Sequence, residues 1–499
     1  MDLINNLAVG FDAAVTLQNL GFCLLGCLLG TLVGVLPGLG PVAAISVLLP
    51  ITFGLDPLSS LIMLAGIYYG AQYGGSTTAI LINMPGETSS VVTCLDGYQM
   101  AKKGRGGAAL AIAALASLLA GCFGTLVVAA FAPVLGQFAK NIASAEYFAL
   151  LVLGLIAAVA LASRSVLKAV AMILLGLLVG LFGIDITSGV PRYTFGFDVL
   201  EDGVDFVVVA LGLFGFAEIM VNLERGQKER DVPVAKVDSL WPNKSEVKRS
   251  WKAALRGTGI GCLIGILPGG GGTLSSFASY TIERELSRNK SEFGSGAVEG
   301  VAGPEAANNA GVQTSFIPLL TLGIPPNPVS ALMLGALLIH NITPGPNIIE
   351  EQPTLFWGLI ASMWIGNLML VVINLPLIRL WVSLLKVPYR LLYPCIVIFG
   401  CLGIYLVNNN PFELALAAVF AILGYVFLKL GCESAPFLLG FVLGPMMEEN
   451  LRRAMLVSRG DPMIFIERPI CLAILLCTIA LILVMTLSKI RGAREKVLE

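Results

Sequence analysis

Three carboxylic acids and two glycine-rich breaks are the groups in this chain that could do chemistry. Glu87 follows Pro85-Gly86 directly, Asp96 opens Asp96-Gly97-Tyr98, and Glu305 lies in the run Pro304-Glu305-Ala306-Ala307-Asn308-Asn309-Ala310-Gly311. An ionisable side chain at membrane depth is a functional candidate by default. The breaks are Gly34-Val35-Leu36-Pro37-Gly38-Leu39-Gly40 and its echo Gly265-Ile266-Leu267-Pro268-Gly269-Gly270-Gly271, each closing an apolar run of helix length. Pro and Gly must stop an α-helix there and leave backbone groups unpaired. Lipid tolerates this only where bare helix ends line a polar cavity. The N–H groups at a helix N-terminus can hold an anion without any buried Lys or Arg, and the core runs around both breaks contain no basic residue.

The groups that could contact such an anion are Gly38, Gly40, Asn83, Gly86, Thr88, Ser89 and Ser90 in the first half. Gly269, Gly270, Gly271, Gly272, Thr273, Ser275, Ser276 and Asn327 are their counterparts in the second, with Asn308 and Asn309 just ahead of the second break. Exposed carbonyls at the breaks, with Ser76, Thr77, Thr78, Gln313, Thr314 or Ser315, could ligate Na⁺. For each hydroxyl, a bond to its own or a neighbouring helix is the competing reading. Glu87 and Glu305 are candidates for coupling transport to a cation or proton. Asp96 reads as a turn or cap residue near a basic loop, and the lone histidine, His340, as a structural residue near the outer face.

Placing these groups falls to membrane helices. The chain has 499 residues, 56% hydrophobic and 13% charged, with a mean hydropathy of +0.86, which describes an all-α polytopic membrane protein. About 12 spans or half-spans fit at roughly 17 to 25 apolar residues each. The ten cysteines lack metal or redox spacing and read as small core hydrophobes. The N-terminal stretch has no positive region, against a cleaved signal peptide. Nothing points to nucleic acid, and no cofactor is implied.

Residues 1–101 contain no Lys or Arg, after which Lys102, Lys103 and Arg105 arrive together. By the positive-inside rule that loop is cytoplasmic, as is the basic, Pro-containing stretch 223–252. The expected organisation is a first transmembrane repeat over 1–222, a cytoplasmic linker over 223–252, a second repeat over 253–469, and a final helix with a cytoplasmic tail over 470–499. Further echoes link Gly75-Ser76-Thr77-Thr78 and Met84-Pro85-Gly86 to Gly311-Val312-Gln313-Thr314 and Ile324-Pro325-Pro326, and Gly176–Asp185 to Gly424–Glu433. A second half starting inside where the first starts outside makes two inverted repeats with re-entrant hairpins and broken helices. Arg452, Arg453 and Arg459 fall on the wrong side of this scheme. Pro304 to Gly311 is expected as a short helix, Pro near its first position and Gly ending it, lying either on the surface or facing the cavity.

The segments Gly34–Pro41, Tyr73-Gly74-Gly75 through Pro85-Gly86, Leu95–Tyr98, Lys102–Gly107, Pro304–Ala310, Asn341–Pro346 and Leu439–Arg453 together resemble the large membrane subunit of the tripartite tricarboxylate transporters. The resemblance covers nearly the whole chain. It implies a multi-pass bacterial inner-membrane secondary transporter that works with a small four-helix membrane subunit and a periplasmic solute-binding protein. It also implies uptake of a carboxylate, citrate being the eponymous substrate, usually with Na⁺ as coupling ion. A proton-coupled carrier of another organic anion is the alternative. Where some members have Pro-Gly and small hydroxyl residues, this chain has Pro325-Pro326-Asn327-Pro328, and the second Pro removes an N–H donor. An intramembrane enzyme lacks support, since no zinc motif, carboxylate pair or Ser/His arrangement is present. A passive channel would differ from a carrier in failing to accumulate its solute.

Overall fold

The computed structural model describes residues 3–36, 40–160, 165–185, 187–225, 240–267, 270–384 and 389–498. The chain is built from helices. In order they are α1 (Leu3–Ala14), α2 (Leu17–Val35), α3 (Pro41–Thr52), α4 (Pro57–Ile82), α5 (Val91–Met100), α6 (Gly106–Ala139), α7 (Ser144–Ala160), α8 (Val166–Gly180), α9 (Phe206–Ala210) and α10 (Ala217–Arg225). There follow α11 (Lys244–Gly265), α12 (Gly271–Leu286), α13 (Glu299–Thr314), α14 (Phe316–Leu322), α15 (Pro328–Ile339), α16 (Ile348–Glu351) and α17 (Pro353–Asn374). The last six are α18 (Ile378–Leu384), α19 (Tyr389–Asn408), α20 (Pro411–Lys429), α21 (Ser434–Val457), α22 (Ile464–Glu467) and α23 (Pro469–Leu498). Two strands of two residues each, Gly183–Ile184 and Pro191–Arg192, pair antiparallel. Among the described residues six helical segments are long and apolar enough to cross a membrane, and five shorter apolar helices accompany them. This is a multi-pass membrane protein. Within the stretch 223–252, α10 closes at Arg225 and α11 opens at Lys244 behind an Asn243 capping box with Glu246.

Small residues set the packing. A Cβ on Gly26, Gly30 or Gly34 of α2 would stand 2.3, 2.3 and 2.2 Å from the carbonyl oxygens of Met63, Ile67 and Ala71 on α4. A Cβ on Gly257, Gly261 or Gly265 of α11 would meet those of Gly303, Ala307 and Gly311 on α13 at 2.2, 2.3 and 2.4 Å. In lipid, where burial of apolar area gives helices no reason to associate, such close backbone approach supplies the van der Waals contact that holds them. Other contacts also fall in matched pairs: α6 on α13 and α17 on α4, α8 on α21 and α20 on the 206–225 segment, with α6 against α17 between them. The glycine register aligns Gly311 with Ala71, one helical turn from the Gly75 it echoes in sequence.

At the centre lie α4, buried from Leu58 to Ile82, and α13, buried from Gly300 to Thr314. The expected short helix at Pro304–Gly311 is therefore longer. Pro304 and Gly311 are both interior to α13, and the segment is no surface helix. Gly300, Gly303, Ala306, Ala307 and Ala310 make α13 thin enough to fit between α11, α12 and α6, and that tertiary packing outweighs the helix-breaking tendency of Pro304 and the glycines. Asp96 is likewise inside α5 and fully buried, and it is not a turn residue.

Candidate functional site

Gly38 and Gly269, with their neighbours Pro37, Leu39 and Pro268, lie outside the described residues. Gly40 is the N-cap of α3, with Pro41 at the first helical position and no side-chain cap, and Gly270 is the N-cap of α12, also without a side-chain cap. The N–H groups of both first turns are thus without a capping side chain.

Between α4 and α5 the chain breaks. Asn83, exposed, ends α4 in the left-handed region at φ 56°. Gly86 then passes so close to α4 that a Cβ on it would stand 2.4 Å from the Gly75 Cα. This brings the next residues beneath Gly40, whose own Cβ would meet the Gly86 carbonyl at 3.5 Å and Glu87 at 4.0 Å. The Glu87 carboxylate accepts from Asn308 Nδ2 on α13 at 3.2 Å and from the hydroxyl of Ser89. Thr88 and Thr273 share a hydroxyl–hydroxyl bond of 2.9 Å, both side chains exposed. First-half residues of the break thus touch the second-half helices α12 and α13.

The second break supplies the other wall. Gly323, at φ 64°, ends α14, and Asn327 caps α15 by accepting from the Ser330 N–H at 2.9 Å. Its Nδ2 is buried without a protein partner, beside Gly271, whose Cβ would stand 3.4 Å from it. Gly272 leaves no room for a side chain, because its Cβ would fall 2.1 Å from Asn308 Oδ1, itself unpartnered. Gly40, Gly86, Glu87, Thr88, Ser89, Gly271, Thr273, Asn308 and Asn327 therefore form one cluster. No Lys or Arg contributes to the hydrogen bonds described there.

The residues nominated for a cation are dispersed. Ser76 donates to Glu305, 2.9 Å from either carboxylate oxygen. Thr77, Thr78, Thr314 and Ser315 bond the carbonyls of Tyr73, Gly75, Ala310 and Val312 on their own or the adjoining turn. Gln313 is buried with neither amide atom partnered. Asn309 turns away from Asn308 to donate to Ser117 on α6 at 2.7 Å. Glu305, 3% exposed, also accepts from Thr93. Thr93 and Ser117 were not foreseeable: one hydroxyl within an apolar run shows no local sign of which helix it will face.

Asp96 joins the two halves. Its Oδ1 accepts the N–H groups of Gly294, Gly296 and Ala297 at 2.9, 2.7 and 2.8 Å, and its Oδ2 the Tyr280 hydroxyl at 3.0 Å. Lys103 Nζ adds a bond to the Ser295 carbonyl at 2.6 Å. Elsewhere a cavity of about 900 Å³ opens between α7, α8, α21 and the 343–351 loop. Tyr147, Asn347, Asn450 and Arg453 are among its lining, and it reaches Leu322, next to the Gly323 break. Beside it Arg452 holds Asp185 at 2.9 Å and Arg192 holds Glu448 at 2.8 Å, tying the 183–192 hairpin to α21. The Thr187 N–H and Arg452 lower the Asp185 carboxyl to about 2. His340 ends α15, half-buried.

Residues 20–439 match the family model described as the tripartite tricarboxylate transporter TctA family. The chain belongs to that family. A protein of Agrobacterium vitis, named as an uncharacterized 52.8 kDa protein in the TAR-I ttuC' 3' region, is 57% identical over 497 residues, covering 100% of this chain and 99% of its own. A second A. vitis protein, named for the TAR-II ttuC' 3' region, is 59% identical over 237 residues, 48% of this chain and 98% of its own. No solved structure matches. As a TctA-family protein the chain is one component of a tripartite transport system.

Proposed function

We propose that this TctA-family chain imports an organic di- or tricarboxylate across the bacterial inner membrane by alternating access, with Na⁺ as coupling ion. On this reading it works with a small four-helix membrane subunit and receives substrate from a periplasmic solute-binding protein. The observation that carries the proposal is the meeting of Gly40, Gly86 and Thr88 with Gly271, Thr273, Asn308 and Asn327. There two helix N-termini without side-chain caps and the Asn327 Nδ2, beside the Tyr68 hydroxyl, bring N–H donors into one cluster. Such groups hold a carboxylate without a basic side chain. The Asn327 cap covers the α15 terminus with its own oxygen, so the second break contributes a side-chain donor where a bare helix end is missing.

The matched packings of α2 on α4 and α11 on α13 support two repeats related by inversion, with the basic stretch between them cytoplasmic. Arg452 serves an ion-pair network in the 183–192 hairpin, a structural demand that competes with the charge bias of the loops. The 900 Å³ cavity would then be the outer vestibule, leading to the second break.

Glu87 favours a second reading, in which the carrier is proton-coupled. Its carboxylate stands where a substrate anion would be held, and like charges in a low dielectric repel strongly, so substrate entry requires Glu87 to be neutralised. Uptake of labelled di- and tricarboxylates into proteoliposomes holding this chain, its small subunit and its binding protein tests both. A Na⁺ gradient should drive accumulation, and Thr88→Val with Thr273→Val, or Asn308→Leu, should cut uptake by about 10-fold or more, the worth of a lost bond to a charged group. If uptake by correctly folded variants matches wild type, the site is wrong. If a proton gradient drives uptake and a Na⁺ gradient does not, the second reading replaces the first.

A further inference from the structure

We propose that Glu305 anchors a single dehydrated monovalent cation, of the size and hardness of Na⁺, in a small cavity between α4, α6, α13 and α17. The cavity holds about 20 Å³, and its polar lining is Tyr73, Ser76, Thr77, Ser117, Glu305 and Asn374. That volume admits one water-sized particle. A carboxylate substrate or a hydrated ion does not fit.

The chemistry of the lining selects a cation. Glu305 is buried, and among the described residues no Lys, Arg or His pairs with it; Ser76 and Thr93 donate to it. A carboxylate taken out of water is costly unless its charge is neutralised. Asn374 is 6% exposed, and its Nδ2 donates to the Leu370 carbonyl at 2.9 Å. Its Oδ1 is left buried without a protein partner. Ser117 accepts from Asn309, so its own lone pairs and proton can adjust to whatever enters. The lining thus offers a carboxylate, an unpartnered amide oxygen and four hydroxyls, and hard cations take oxygen ligands of these kinds. Asn374, Ser117, Thr77 and Glu305 come from four different helices, so an ion there would pin first-half α4 and α6 to second-half α13 and α17.

Use of this ion for coupling rests on the transport reading above; the site itself does not. Glu305 and Asn308 are three residues apart on α13, and Asn308 faces Glu87 in the anion cluster. A cation that fixes α13 therefore sets the position of a group in the anion site.

The test is binding of ²²Na⁺ to the purified full-length chain, with its thermal unfolding midpoint followed in NaCl and in choline chloride at equal ionic strength. Wild type should bind one saturable Na⁺ and gain stability with its concentration, as any ligand of the folded state confers. Glu305→Gln should abolish that binding and make stability independent of Na⁺. Its midpoint in choline chloride should be no lower than that of wild type, because a buried charge has been removed. Asn374→Leu, which keeps the carboxylate, should weaken binding about 10-fold, the loss of one ligand. Undiminished ²²Na⁺ binding by Glu305→Gln, no saturable binding by wild type, or stability that responds to pH and equally to both salts would overturn the assignment. Glu305-dependent Na⁺ binding by a protein that moves no carboxylate would keep the site and sink the transport reading. Na⁺-driven uptake that survives in Glu305→Gln would keep the transport reading and sink the use of this ion for coupling.

Discussion

Removing the Asp96 carboxylate should loosen the joint between the two halves more than any other single polar deletion outside the proposed anion cluster. Asp96 is fully buried, and it accepts four hydrogen bonds, three of them from backbone N–H groups of the 294–297 loop. Room for it is kept by Gly300, where a Cβ would stand 2.2 Å from Asp96 Oδ2. A bond to a charged acceptor contributes about 1.5–3 kcal/mol, but four such values do not add. In Asp96→Ala, water can reach the exposed Gly294 and the half-buried Gly296 and Tyr280, whereas the Ala297 N–H stays buried. That orphan costs about 1–3 kcal/mol, and the three rehydrated bonds about 1 kcal/mol each at most. Relief of the carboxylate's own desolvation offsets part of this, which leaves a net loss of about 2–4 kcal/mol. Asp96→Asn keeps a neutral oxygen for the loop N–H groups and should lose about half as much. Thermal unfolding of detergent-purified variants, with limited proteolysis across residues 287–297, gives the order wild type, Asp96→Asn, Asp96→Ala. An Asp96→Ala protein as stable and as protease-resistant as wild type would show that the loop is held by something other than this carboxylate.

Two further outcomes follow from the packing and the ion pairs. Leu at Gly30 or Gly261 cannot fit where a Cβ alone would lie 2.3 Å from the Ile67 or Ala307 carbonyl; each should abolish a monodisperse gel-filtration peak, while Leu at Gly259, with nothing within 4 Å of its Cβ, should not. Asp185, lowered to about 2, contributes stability that is complete above the ordinary aspartate range near ~3.9 and is lost only as pH falls toward the folded value. Hydrogen exchange across 183–192 should therefore stay protected from pH 7 to about 4 in wild type. In Arg452→Gln, where the Asp185 carboxyl rises toward its ordinary value, that contribution shrinks, so protection should be lower than in wild type already at pH 7 and should change less as pH falls below about 4; a profile identical to wild type would assign the depression to the Thr187 N–H and not to Arg452.

The sequence made the breaks legible because Pro and Gly act locally. Pro41 starts a helix after Gly40, and Asn83 and Gly323 end helices in the left-handed region, all from chemistry within a few residues. Which groups face each other was not local. α13 carries Glu305, Asn308, Asn309 and Gln313 within a little over two turns, and these are dealt to different neighbours: Ser76 and Thr93, Glu87, Ser117, and the backbone at Gly124. A polar helix reads as a surface element by composition, yet α13 is buried because glycine and alanine on its other faces admit α11 and α12 to within backbone contact. Only after that approach is fixed do its polar side chains lie in the interior, and there they must either find partners or hold a ligand. Asn374 Oδ1, Asn327 Nδ2 and both amide atoms of Gln313 have no protein partner. Asn374 lines the Glu305 cavity and Asn327 borders the two uncapped helix ends, so one unmet oxygen and one unmet donor fall at the two proposed sites, while Gln313 belongs to neither. A carrier that takes an anion together with a cation needs two sites of opposite preference, and α13 is the element that contributes to both of the sites proposed above.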